Sequence, residues 1–182
     1  MVKPDKQLVC VLGAPGTGKG TQGKLLASYL QGVHVSVGDL IRESEAAGRR
    51  IPKDRKTRLA DTAATLELIM AAAGDAAGTV VLDGFPRHAS QVEALLAMPW
   101  PCRTAIDLRV TFPVAFARMK GRGRDGEDPG RIAQRHTMHD INRPDLEVAL
   151  AAARIALVPV DGEGAVDEVQ NLCRNVIHRF CG

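Results

Sequence analysis

Gly13-Ala14-Pro15-Gly16-Thr17-Gly18-Lys19-Gly20-Thr21 is the stretch of this chain best equipped for chemistry. Closely spaced glycines let consecutive N–H groups turn toward one concavity, and such a nest attracts an anion. Leu8–Leu12, an apolar run of strand length, precedes it. Gln22–Leu30 follows, with Leu25, Leu26, Tyr29 and Leu30 at helical spacing. Strand, glycine-rich turn and helix form the setting of a phosphate-binding loop, and the helix N-terminus adds partial positive charge. Lys19 adds a full charge within reach of the β- and γ-phosphates of a nucleotide. The pattern Gly-x4-Gly-Lys-[Ser/Thr] holds from Gly13 to Lys19. Gly20 stands where the hydroxyl is expected, so Thr21 is left to supply one near a metal.

Two further motifs follow apolar runs. Val81-Leu82-Asp83-Gly84-Phe85-Pro86-Arg87 ends a run in a carboxylate. Opposite a phosphate loop, Asp83 would hold Mg²⁺ through waters, because Mg²⁺ dehydrates reluctantly. Arg87 then stands at the mouth of the site. Ser36-Val37-Gly38-Asp39-Leu40-Ile41-Arg42 reads as a Gly-Asp turn entering a helix, with free backbone N–H groups and Arg42 one turn in, able to face an anion. His34 reads as a packed residue, and His88, His136, His139 and His178 as surface positions.

These motifs need elements to position them. Strand-like runs recur at Leu8–Leu12, Val33–Val37, Thr79–Leu82, Ala105–Val110 and Ile155–Val160, with helix-like segments between. That alternation implies an α/β fold of βαβ units with a parallel sheet and right-handed crossovers. Ligands in such sheets sit at the carboxyl ends of the strands, where the motifs fall. Leu40–Ala73 is mostly helical in pattern, with a break near Gly48–Pro52. Gln91–Met98 and Val114–Lys120 read as helices, and Gly121–Gly130 as a polar loop. Asp128-Pro129 is a helix start, with Asp as N-cap and Pro at the first position, so Arg131–Asp140 is expected to be helical. Ala165–Phe180 places Val166, Val169, Leu172, Cys173, Val176, Ile177 and Phe180 on one face.

Composition sets the bounds. A chain of 182 residues suffices for one domain with a full core. Aromatics are only 3%, so aliphatics and alanines must build that core. A net charge of +3 does not by itself indicate nucleic acid. Cys10, Cys102, Cys173 and Cys181 have no zinc spacing, and Cys10 reads as a core thiol. No stretch reaches the ~18 apolar residues of a membrane span, and the N-terminus has no run of signal-peptide length. The expectation is a cytoplasmic, reducing compartment, with no nucleic-acid or membrane partner.

The three motifs, in this order, resemble the adenylate kinase family of nucleoside monophosphate kinases. The resemblance rests on Gly-Ala-Pro-Gly-Thr-Gly-Lys-Gly-Thr-Gln, on Ser-Val-Gly-Asp-Leu-Ile-Arg, and on Leu-Asp-Gly-Phe-Pro-Arg with Gln91 four residues beyond Arg87. It continues through Arg118–Arg135 to Val158–Val169. It implies a three-layer P-loop NTPase fold: a five-stranded parallel sheet flanked by helices in a single domain spanning 1–182. A monophosphate-binding segment about 36–60 and a short lid about 121–130 would be its mobile parts. It implies reversible phosphoryl transfer from ATP, with Mg²⁺ and without zinc, by a monomer.

Carried over by motif, Gly16, Thr17, Gly18, Lys19, Gly20 and Thr21 would bind ATP phosphates. Lys19 would be catalytic, Gly164 would contact the ATP base through its backbone, and Asp83 with Thr21 would serve the metal. Arg42 and Arg87 would hold the acceptor phosphate, and Val37, Gly84, Phe85 and Gln91 would line the acceptor pocket. Arg122, Arg124 and Arg135 would be the lid arginines. Arg122 would face ATP, Arg124 and Arg135 would bind the monophosphate, all three with Arg87 would be catalytic, and Arg131 is the alternative to Arg135. Val37 stands where AMP-acting members carry Thr and pyrimidine-acting relatives carry Ala, whereas Gln91 stands where those relatives carry Asn. AMP is the expected acceptor. The alternatives are a UMP/CMP-type kinase and a non-catalytic nucleotide-binding homologue.

Overall fold

The structure is a computed structural model of the chain and describes residues 7–54, 57, 59–121 and 128–180. Its strands are β1 (Gln7–Leu12), β2 (Val33–Ser36), β3 (Thr79–Asp83), β4 (Cys102–Arg109) and β5 (Ala156–Asp161). They form one parallel sheet in the order β2-β3-β1-β4-β5, with Val11 beside Asp83 on one side and Ile106 on the other. Chain order reverses around β1, which makes its carboxyl end the place for a ligand crevice.

Helices cover both faces: α1 (Lys19–Tyr29), α2 (Val37–Ala46), α3 (Thr62–Ala73), α4 (Val92–Leu96), α5 (Phe112–Gly121), α6 (Pro129–Ala152) and α7 (Val166–Phe180). The two-residue period of a strand explains the two cores. Leu8, Cys10 and Leu12 of β1, with Val80 and Leu82 of β3, join a cluster closed by Ile69, Trp100, Leu146 and Leu150. Val9 and Val11, with Val81, point the other way and pack with Leu26, Val169, Cys173, Val176 and Ile177. A sheet covered on both faces is built from continuous apolar runs, so the strands are legible in the sequence. Val166 and Leu172, expected on the inner face of α7, are half-exposed at its margins.

Several boundaries differ from the sequence reading. Val37 opens α2 instead of closing β2, and β4 begins at Cys102, three residues early. Among the described residues of 47–61 none is helical, and an antiparallel bridge pairs Lys53 with Ala60. The segment read as one helix from Gln91 is a 3-10 turn, Ala89–Gln91, followed by α4. Helix α6 runs twelve residues beyond Asp140, through Pro144. A proline interrupts the helical ladder, and on pattern alone the helix ends before it. Tertiary contacts carry it across: Leu146 and Leu150 lie in the core. Arg143 also donates to both carboxylate oxygens of Asp107, at 3.0 and 2.6 Å. Asp107 is 1% exposed at the end of β4 and also accepts from Arg109 at 2.7 Å. Burial works to raise the Asp107 pKa, but the two guanidiniums bonded to it bring it below its ordinary value.

Candidate active site

At the end of β1 the chain turns through Gly13, Gly16 and Gly18, all with positive φ. Gly18, at φ 97, is the N-cap of α1, and there only glycine reaches the left-handed region without strain. The loop is tied to itself. The Thr17 hydroxyl donates to the Ala14 carbonyl at 3.0 Å, and Lys19 Nζ donates to the same oxygen at 2.7 Å. The backbone of Ala115 in α5 abuts Gly16 so closely that a Cβ there would collide with its carbonyl.

The loop forms one wall of a cleft lined by Pro15, Gly16, Gly18, Lys19 and Gly20. Ser36, Gly38, Asp39 and Arg42 come from the end of β2 and from α2, Asp83 and Arg87 from the end of β3, Met119 from α5 and Arg135 from α6. Eight residues named from sequence thus meet in one place: Gly16, Gly18, Lys19, Gly20, Arg42, Asp83, Arg87 and Arg135. Asp83 faces the first turn of α1, where a Cβ on Gly20 would lie 3.4 Å from Oδ2. Arg42 and Arg87 converge over Gly38, whose absent Cβ would lie 3.4 and 3.5 Å from their guanidinium nitrogens. Asp39 accepts from Arg42 at 2.5 Å, and the Gly84 carbonyl accepts from Arg87 Nε at 2.6 Å, so both arginines are oriented. Partial loss of water lowers the Arg87 pKa from its ordinary value. Asp83 works against that, and the like charges of Arg135 and Arg42 add to it. Like charges crowded at one point are stabilised by an anion among them.

Other named residues lie around the cleft. Thr17 is buried behind the loop, and Thr21 is exposed on the first turn of α1. Val37 and Phe85 are buried in the apolar core, and their neighbours Ser36, Gly38 and Asp83 do the lining. Gly84, at φ 78, carries the chain past Arg87, where a side chain would meet the guanidinium. Gln91 is buried, and its Oε1 accepts from the Arg87 backbone N–H at 2.7 Å. Gly164 is exposed before α7, next to an Ala165 N–H bonded to the Glu168 carboxylate at 2.9 Å. Arg118 donates to the Gly162 carbonyl at 2.8 Å, bringing α5 against that loop. Arg131 is exposed and outside the cleft lining. Arg122 and Arg124 lie outside the described residues.

His34 packs beside Asp83, with Nε2 3.8 Å from Oδ2, and burial lowers its pKa against the pull of that carboxylate. His136, read from sequence as a surface residue, is buried. The sequence reading did not single out Pro15, Ser36, Gly38, Asp39 or Met119. The first four sit inside quoted motifs, in the loop after β1, at the end of β2 and in the first turn of α2. Met119 carries no sequence signal, because an apolar residue on a helix reads as core.

The donor set fits Mg²⁺ arriving with a nucleotide. Asp83 supplies one carboxylate at the cleft, and no cluster of three or more His, Cys, Asp or Glu occurs among the described residues. Mg²⁺ is typically held by one or two carboxylates, waters and substrate phosphates, not by an all-protein cage.

A phosphate loop at the central strand of a parallel sheet, facing converged arginines, defines a nucleotide-binding protein of the phosphate-loop class. The family model described as adenylate kinase matches residues 11–171. An adenylate kinase of Stenotrophomonas maltophilia (strain K279a) is 31% identical over 175 residues, covering 88% of this chain and 93% of its own length. One from Xanthomonas oryzae pv. oryzae (strain MAFF 311018) is 30% identical, covering 93% and 98%. One from Nocardia farcinica is 32% identical, covering 94% and 99%. The chain belongs to the adenylate kinase family.

Proposed function

We infer that this protein catalyses reversible, Mg²⁺-dependent phosphoryl transfer from ATP to AMP, forming two ADP. The observation that carries the reading is one cleft with two anion-binding walls. The loop and Lys19 suit a triphosphate. Arg42 and Arg87, oriented by Asp39 and the Gly84 carbonyl, suit the phosphate of an acceptor. Between them an in-line transfer needs little covalent help, because positioning and charge stabilisation supply most of the catalysis. Mg²⁺, when bound with ATP beside Asp83, neutralises phosphate charge. Lys19 leaves the Ala14 carbonyl for the transferring phosphoryl group. Arg135, with Arg122 and Arg124 from a short lid over 121–130, completes the positive shell. The segment about 36–60 closes over the acceptor, and Gln91 reads its base. Closure over both substrates keeps water from taking the phosphoryl group.

The test is a coupled assay with MgATP against AMP, CMP, UMP, GMP and dAMP. AMP should give the highest kcat/KM. Preference for CMP or UMP would replace AMP by a pyrimidine nucleotide, and no transfer to any acceptor would leave a nucleotide-binding homologue.

A further inference from the structure

Gln22 lies in the first turn of α1, where its backbone N–H donates to the Gly18 carbonyl of the phosphate loop at 3.0 Å. Its side chain donates from Nε2 to the carbonyl of Val166, the residue that opens α7, at 3.0 Å. A carbonyl only accepts, so the NH₂ end of the amide faces Val166. The residue is 4% exposed, and its Oε1 is buried without a partner among the described residues. A buried amide that leaves one polar atom unpaired costs stability. An apolar side chain of similar length would fill this place between α1 and α7 at less cost, so packing does not account for a glutamine here.

The turn over 162–165 runs directly into α7. It touches the phosphate loop, because a Cβ on Gly162 would lie 3.2 Å from the Thr17 carbonyl. Arg118 of α5 donates to the Gly162 carbonyl at 2.8 Å, and the Thr111 N–H donates to the Glu163 carboxylate at 2.7 Å. These contacts hold the start of the turn. Among the described hydrogen bonds, the one from Gln22 joins its far end, at Val166, to α1. Glu163 and Gly164 are exposed on the turn. A nucleotide with its phosphates in the loop must rest its nucleoside on a neighbouring surface. This turn is such a surface, and Gly164 is the residue matched by motif to the ATP base.

We propose that Gln22 is a positioning residue that fixes the turn 162–165 relative to the phosphate loop, so that ATP meets its nucleoside surface and its phosphate site at one set spacing. The proposal rests on the reading that this loop binds ATP. Gln22 is buried and outside the cleft lining, so it acts through Gly18 on one side and Val166 on the other. A ligand held at two places binds more tightly when their spacing is set beforehand, because no ordering is left to the binding step.

Inorganic tripolyphosphate with Mg²⁺ probes the phosphate site without the nucleoside, MgATP probes both, and calorimetry gives each Kd. Gln22→Met keeps the length and the helix propensity of the side chain and removes the donor. The Val166 carbonyl keeps its partner in the α7 ladder. One net hydrogen bond corresponds to about three- to tenfold in affinity. Gln22→Met should therefore raise the MgATP Kd by about that factor and the tripolyphosphate Kd by less than about twofold. A tripolyphosphate Kd that rises as much as that of MgATP means that the loop itself is disturbed, and an MgATP Kd that does not rise leaves Gln22 as packing. Either result overturns the proposal. A wild type that binds MgATP but no tripolyphosphate overturns it too, because the proposal needs two separable parts. Gln22→Leu is the second donor-free variant should Met fail to fold, and unfolding of both overturns the proposal by assigning Gln22 to stability alone. Failure of the underlying reading looks different: the wild type itself binds neither ligand, and the proposal falls with it.

Discussion

Lys19 is where a single side chain separates chemistry from folding. It opens α1 at the edge of the cleft, donates to the nearby Ala14 carbonyl and is not among the core residues, so Lys19→Met should leave Tm within about 2 °C. It should lower kcat by roughly 10²–10³-fold, the cost of losing one preorganised electrostatic donor. Wild-type turnover in this variant would end the phosphate-loop assignment. Gln91 is more entangled, because its Oε1 already accepts from the Arg87 N–H. Gln91→Ala removes the proposed base contact together with the acceptor of the Arg87 N–H. Gln91→Glu keeps that acceptor and removes the NH₂ donor. A KM increase for AMP of about tenfold in both variants, consistent with an unpaired polar group, assigns the effect to the base. An increase confined to Gln91→Ala assigns it to the Arg87 loop.

At the scale of elements, α6 joins the site to the sheet. Its first half bears Arg135 and its middle is held by Arg143 on buried Asp107. Asp107→Asn should destabilise the protein by about 3 kcal/mol, the cost of breaking a buried pair, measured by denaturant unfolding. The folded pKa of Asp107 is lowered. Its stabilisation is therefore present above the unfolded carboxylate pKa of about 4 and lost as pH falls through the folded value. The gap between wild type and Asp107→Asn should narrow below about pH 4 and stay constant from there to neutrality. A gap that widens on acidification contradicts the pairing. The lid makes a separate prediction: Arg135→Ala and Arg124→Ala should each lower kcat well over tenfold with modest effect on ATP affinity, because contacts made mainly in the transition state act on turnover. Near-wild-type kinetics in both would remove the lid arginines from the mechanism.

For the whole molecule, ligand binding and stability are linked. MgATP at about a hundred times its Kd should stabilise the folded chain by about 2.7 kcal/mol. For a chain of this size that is a Tm increase of about 5–10 °C. Thermal unfolding with and without MgATP measures it, and Lys19→Met should show a smaller increase. No increase in the wild type at saturating nucleotide would be incompatible with the cleft as an ATP site. The two-faced sheet makes this coupling direct. The loop follows β1 at the centre of the sheet, between β3 and β4, and both cores pack against that strand.

Sequence alone determined the strands, their parallel arrangement and the motifs at their ends. Those signals are local: apolar runs for doubly covered strands, glycines for a positive-φ loop, a carboxylate or arginine a fixed distance beyond. It also located Lys19, Asp83, Arg42 and Arg87, because each lies within a few residues of a strand end. Tertiary structure alone decided the rest. Pro144 reads as a helix stop, yet Asp107, 36 residues away, holds Arg143 and α6 continues. His136 reads as a surface residue because its pattern does not reveal that Phe112 packs edge-on against it. Val37, matched by motif to the acceptor pocket, has its side chain in the core, because α2 begins one residue after β2 ends and turns it inward. In each case the deciding partner is distant in the chain, and local propensity carries no information about it.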